Sequence, residues 1–462
     1  MSVSVKEETI KTESKTDFLD SLDSKKTLIF NKIYTVLAFW VVLAPLMTIL
    51  FYSIGIKFEL TMQWIMAAFL FGLAWFVQFA FNLTKIKLKR PDLFQILGYC
   101  LVVLLFLIMF LSGVEQFTTL LLYSSYILLF CLFFKLDKKY YKTLAYTFII
   151  GMTLDAILGV IDLDNKWIPG FEEKNCAFSL QFGNPNYAAY IVVFAIVLCI
   201  YYFLYGGTKF DKITSGICFV LLNIFLFFNG TFVAETTLFI VEIALVVIYW
   251  IKNKKFPLWL GLAFLITFIC SFFRINRYSS SATIFIFEVF AMMDSYLGTN
   301  IIGFILDNFK GSEKIIYGIS SAMTKEEILA KTINISLKEP QWNRGGLASR
   351  AIEYCVSGFM PFVFGNGIGF ANEVVRPHNL FLWWWIDCGI VFSLLFYAMC
   401  VVLIVMFARC KNREKFLYPF IVFCAYLFMY NFGVIDYSFI FFVINFALLY
   451  KGLKTEKEKP LD

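Results

Sequence analysis

The chain has 462 residues, of which 60% are hydrophobic and only 16% charged, with mean hydropathy +0.76 and formal net charge +7. A soluble protein of this length and composition would expose far too much apolar surface, whereas runs of about twenty apolar residues, each able to span a bilayer, recur along the whole sequence. The alternation of apolar and polar residues that marks a transmembrane β-barrel is missing, so the expected class is an all-α integral membrane protein.

The first thirty residues are polar and charged, with no apolar stretch behind a basic start, unlike a cleavable signal peptide. Residues 1–32 are expected to form a flexible cytoplasmic tail. About twelve spans follow, near 33–55, 59–81, 93–112, 116–134, 143–162, 187–206, 213–229, 232–251, 257–273, 379–407, 415–431 and 436–450. Basic residues alternate with them. Lys85–Arg90 follow the second span, Lys135–Lys142 the fourth, Lys209 and Lys212 the sixth, Lys252–Lys255 the eighth, and Arg409–Lys415 the tenth. Lys57 is the only basic residue in the short connectors of the opposite set. The positive-inside rule then places both chain ends, including the tail 451–462, in the cytoplasm. Charge distributed this way reads as membrane topology, and no nucleic-acid partner is expected.

Two outward connectors are longer than packing requires, about 162–185 and 274–378, and long loops in compact proteins are usually functional. Within the second, residues 282–309 are apolar enough to lie on or re-enter the membrane, and Thr324–Glu327 resembles a capping box. The eleven cysteines show no metal-binding spacing. Cys176 and Cys355 fall in polar loops and could pair if both face an oxidising compartment.

His378, the single histidine, stands at the end of the longest connector. Imidazole can exchange a proton near neutral pH, although an interfacial histidine can also simply anchor a helix end. Gly365, Gly367 and Gly369 precede it and permit a tight turn that could present backbone N–H groups to an anion. Arg344, Arg350 and Arg376 flank the turn, and a guanidinium binds phosphate with a forked donor set. Each could equally be a solvated charge. Asn184-Pro-Asn186 opens the sixth span, where a proline start and an asparagine cap also suffice as an explanation. Carboxylates inside a bilayer are costly. Asp155, Glu235, Glu242 and Asp387 qualify, with Glu235 and Glu242 on one helix face. Asp387 is expected about 13 Å deeper than His378 along a continuous helix, pairing with loop arginines or lining a polar cavity. Trp383-Trp-Trp385 reads as an interfacial aromatic belt or a sugar-stacking surface.

The stretch from Arg350 to about Leu395 resembles the O-antigen ligase and polymerase superfamily. The matching residues are Arg350, Tyr354, Pro361, Gly365, Gly367, His378, Asn379 and Gly389, with one extra residue between Pro361 and Gly365. Asn184-Pro-Asn186 is similar to a further motif of that superfamily. The Ser-Arg or Thr-Arg pair common between the seventh and eighth spans is replaced by Asn229-Gly-Thr-Phe-Val-Ala-Glu235, with no arginine. The resemblance implies a GT-C-like glycosyltransferase in the bacterial cytoplasmic membrane, with its active site facing the periplasm or exterior, between the spans 33–273 and 379–450. It implies an undecaprenyl-pyrophosphate-linked glycan as donor and a hydroxyl of lipid A core or another surface glycan as acceptor. His378 would be the catalytic base. Arg350, Arg376, Arg344, Asn184, Asn186, Asn379, Glu235 and Asp387 would bind substrate, and neither metal nor cofactor is expected. A repeat-unit polymerase of the same superfamily and a transporter or lipid-linked glycan flippase are the alternatives.

Overall fold

A computed structural model describes residues 2–82, 90–161, 185–229, 231–254, 344–432 and 438–457, with isolated positions between 258 and 265. The described chain is helical, and its only β-type pairing is an isolated bridge between Val114 and Ile368. In chain order the helices are α1 Ser2–Ser53, α2 Leu60–Asn82, α3 Leu93–Leu111, α4 Phe117–Lys135, α5 Tyr141–Ile161, α6 Pro185–Tyr205, α7 Lys209–Asn229 and α8 Phe232–Asn253. There follow α9 Arg344–Cys355, α10 Phe359–Phe364, α11 Phe370–Glu373, α12 Leu380–Arg409, α13 Leu417–Phe432 and α14 Phe439–Lys457. Among the described residues, eight helices are long and apolar enough to cross a membrane, the pattern of a multi-pass membrane protein. Helices stand at eleven of the twelve expected positions. The remaining one, 257–273, lies almost wholly outside the described residues, as do 282–309, Thr324–Glu327, Asn184 and Cys176.

The N-terminal segment expected as a tail is helical from Ser2 and continuous with the first span. Its sequence carries helix-supporting spacings such as Glu7 and Lys11. Cys355 is a fully buried free thiol, pushed up to about 12 by burial, rather than a loop cysteine exposed for pairing.

The consecutive helices α1 and α2, and α6 and α7, pack as antiparallel pairs joined by short turns, while α1 also packs against α5, α6 against α8, and α4 against α2 and α14. A continuous core runs through them, with Trp64, Phe71, Tyr190, Phe423, Tyr426, Tyr430 and Phe439 almost wholly enclosed. Glu235 and Glu242 are both buried, as expected of residues sharing one face of α8.

Polar contacts at one end of the bundle hold the basic residues. Lys142 Nζ lies 2.9 Å from Asp211, which also accepts from Tyr146 Oη at 2.7 Å. Asp92 caps α3 through a reciprocal box with Gln95 and accepts from Tyr450 Oη at 2.7 Å, with Lys454 Nζ at 2.8 Å. The start of α3 is thereby tied to the end of α14. Burial opposes ionisation of Asp92, but Lys454, Tyr450 and the Gln95 N–H together hold its carboxyl below the ordinary range.

A carboxyl depressed in the folded state stabilises it fully above the unfolded value, about 3.9 for aspartate, and loses that contribution as pH falls through the folded value. Asp92→Ala should cost about 1 kcal/mol through the lost cap alone. Asp92→Asn should flatten the decline in melting temperature between neutral and acid pH, measured on purified protein in detergent. An unchanged acid limb would contradict this role.

Candidate functional site

The site region is built on α12. Its 30 residues exceed the roughly 20 needed to cross a bilayer, and the excess is folded back. Gly389 has φ 82° and ψ 168°, which interrupts the helix. Ser393 Oγ donates to Phe381 O at 3.3 Å, the Phe381 and Tyr397 rings lie 5.6 Å apart, and Trp384 packs on Phe392 and Phe396. In a straight helix Phe381 and Tyr397 would stand about 24 Å apart along the axis. Residues 380–388 therefore form a short arm running antiparallel to 390–409, and α12 is a helical hairpin.

The expected depth order is thus inverted. Asp387 sits at the hairpin bend, and His378 and Asn379 lie roughly 13 Å back from it at the base of the arm. Asn379 caps the arm by accepting from Leu382 N at 3.0 Å, and its amide donates to Asn431 O at 3.2 Å. Asn431 Oδ1 accepts from Tyr397 Oη at 2.6 Å. These bonds fix Asn379, and His378 beside it, next to the middle of the long arm. His378 is partly buried.

The bend is held by the glycine turn. Asp387 is fully buried, and its carboxylate accepts from Tyr123 Oη at 2.6 Å, Gly369 N at 3.1 Å and Ala371 N at 2.7 Å. The turn does present N–H groups to an anion, but that anion is the protein's own carboxylate, which also caps α11. Among the described residues Asp387 pairs with no arginine. Asn366 N donates to Ile386 O at 2.7 Å, satisfying a carbonyl that the end of the short arm leaves open.

Close backbone approach explains two glycines. A Cβ on Gly389 would lie 2.0 Å from Val363 O, and one on Gly365 would lie 2.5 Å from the Asp387 carbonyl. The turn's far side is bonded to the α3–α4 connection, where Glu115 N and Gln116 N donate to Ile368 O at 3.0 and 3.1 Å. The tryptophans belong to this assembly. Trp383 and Trp384 are buried, Trp383 Nε1 donates to Tyr123 Oη at 3.2 Å, and Trp385 Nε1 donates to Phe362 O at 3.1 Å. Trp383 and Trp384 pack as core residues, while Trp385 is half-buried.

The other predicted residues gather at the same end of the bundle. Arg350 is partly buried on α9, one turn before Tyr354, whose ring packs edge-on to Phe370 and whose carbonyl faces the Asn366 amide at 3.5 Å. Arg344 opens that helix. Arg376 is exposed, with Nε donating to Asn372 O at 3.2 Å. Asn186 lies in the first turn of α6, one turn from Tyr190, which meets Tyr430 edge-on beside Asn431. Glu235 is buried in the first turn of α8, which packs on α6 and α13.

Tyr123 was not among the sequence candidates. Nothing local marks it, since its role depends on a partner 264 residues away.

Tyr123→Phe should destabilise the protein by about 2 kcal/mol, the scale of a hydrogen bond to a charged group. Asp387→Asn should cost more, because one amide position turns a donor toward other donors. Thermal unfolding in detergent reads both. Wild-type stability in either variant would show that the carboxylate does not hold the bend.

The chain matches no family model, no curated protein and no solved structure at a significant level.

Proposed function

We propose that this protein is a membrane glycosyltransferase of the O-antigen ligase type, moving a glycan from undecaprenyl pyrophosphate to an acceptor hydroxyl of lipid A core or another surface glycan. The proposal includes a GT-C-like arrangement of about twelve spans in the bacterial cytoplasmic membrane, with the reaction at the periplasmic or exterior side. The observation that carries it is that α9, which bears Arg350 and Tyr354, and the glycine turn with Gly365 both pack against the α12 hairpin, which bends at Gly389 and whose short arm is capped by Asn379, the residue after His378.

The recessed N-terminus of the short arm suits an anionic substrate. A helix start carries partial positive charge and favours phosphate, and Arg376 stands three residues before the Asn379 cap. Arg350 and Arg376, with Arg344 as a further candidate, would hold the pyrophosphate. Asn184, Asn186 and Asn379 would orient polar groups, and Glu235 lies buried at the same end.

In the reaction the acceptor oxygen forms a bond to the anomeric carbon as the carbon–oxygen bond to pyrophosphate breaks. The leaving group takes the electron pair, and His378 takes the hydroxyl proton. Pyrophosphate is a good leaving group, so positioning and charge stabilisation dominate what the protein must supply. A repeat-unit polymerase would use the same residues with a second lipid-linked glycan as acceptor. The broken α12 also favours a second reading as a flippase, since interrupted helices line transporter sites.

His378→Ala should lower transfer at least a hundredfold in reconstituted vesicles, the usual loss for a positioned general base. Arg350→Lys, which keeps charge but not the fork, should lower it about tenfold. Release of free undecaprenyl pyrophosphate only when acceptor is supplied separates a transferase from a flippase. Full transfer by His378→Ala would defeat the catalytic assignment.

A further inference from the structure

A second feature lies away from His378. α3 packs along α12 and leaves a groove of about 380 Å³ bounded by α2, α3, α4, α12 and α14. That volume is within the range of ligand sites, about 300–1,000 Å³. The walls are apolar and aromatic, including Phe94, Ile127, Phe130, Phe396, Met399 and Phe446. Trp75 and Tyr99 border it and are exposed, so the groove is accessible from the lipid face.

Its two ends differ. One is closed by Tyr123, Trp384 and Phe439, all buried in the assembly around Asp387. The other carries Gln95, Lys135 and the Tyr450 ring. Three further lysines adjoin that end. Lys454 bonds Gln95 and Asp92, Lys451 donates to Leu136 O, and Lys138 follows on the α4–α5 connection. Among the described residues the local carboxylates are already engaged, Asp92 with Lys454 and Asp137 with Lys139 at 3.3 Å. Among the described residues Lys135 and Lys138 form no ion pair, and Lys451 feels Asp137 only as a more distant charge. Burial first, and then the charge of Lys138, push the Lys451 ammonium down to about 8. Positive charge is in excess at this end, with Asp92 and Asp137 the nearby described carboxylates.

We infer that the groove holds an acyl chain of an anionic glycerophospholipid, with the headgroup phosphate at Lys135, Lys138 and Lys451. The position of the cations selects this occupant. A polyprenyl donor reacting at His378 needs its pyrophosphate at the opposite end of the bundle, where the groove is closed by aromatic rings. A phospholipid from the leaflet on the lysine side places its charge where the lysines are and its tail where the walls are apolar. The inference does not depend on the transferase reading.

The test uses the full chain, delipidated in detergent and reconstituted with spin-labelled phosphatidylglycerol or phosphatidylcholine. Wild type should retain a motionally restricted phosphatidylglycerol in preference to phosphatidylcholine. Lys135→Gln with Lys138→Gln should weaken that preference about fivefold per lysine removed. Ile127→Trp, which fills the groove and leaves the lysines in place, should abolish the restricted lipid. The lysine variant changes only exposed side chains and decides the matter if Ile127→Trp fails to fold. Equal retention of both lipids, an undiminished preference in the lysine variant, or a restricted lipid persisting in folded Ile127→Trp would each overturn the assignment. So would stronger retention of a polyprenyl phosphate at the same site.

Discussion

A carboxylate deep inside a membrane protein must find hydrogen-bond donors or remain protonated. Asp387 finds three: the Tyr123 hydroxyl and the N–H groups of Gly369 and Ala371. Those bonds join α4, the glycine turn and α12, elements separated by up to 264 residues in sequence. Where two backbones meet inside this joint only glycine fits, at Gly365 and Gly389. Loss of the carboxylate would leave two inward-facing N–H groups without an acceptor and the turn without its anchor to the bend.

Everything proposed for the chemistry follows from that bend. Because the short arm of α12 doubles back, its N-terminus opens within the bundle beside Asn431 and Tyr397 instead of at a loop edge. His378 is delivered to that recess by the six residues after α11. The gathered polar residues at the starts of α6 and α8 and the end of α13 face the same end, while the lysine-rich contacts of Asp92, Asp211 and Glu456 occupy the other. The bundle is thus polarised, with candidate chemistry at one end and a basic lipid-facing rim at the other.

Much of the architecture could be read from the sequence because bilayer thickness imposes a strong constraint on apolar run length. Helices stand where eleven spans were expected, and Glu235 and Glu242 share a buried face, as their spacing of seven requires. The hairpin could not be read from hydropathy, which is blind to direction reversal within one apolar run. Two signals were present: a run of nearly thirty residues, longer than one crossing needs, and Gly389 placed two residues after an intramembrane aspartate. The glycine turn was recognised as an anion binder, but its anion is internal, and a partner so distant in sequence leaves no local mark. The tryptophan triplet reads in sequence as an interfacial belt or a sugar-stacking surface, because single-sequence position cannot distinguish either from a folded-back arm.

The doubling back of α12 is tested most directly by cross-linking Phe381→Cys to Tyr397→Cys in a background free of other cysteines, using a short bifunctional reagent in native membranes. The hairpin places these side chains against each other, with ring centroids 5.6 Å apart, and predicts efficient intramolecular cross-linking that disappears when Gly389 is replaced by a bulky residue. A straight helix separates the two positions by about 24 Å. Absence of the cross-link in folded protein, with a linker that joins control pairs one helical turn apart, would contradict the account.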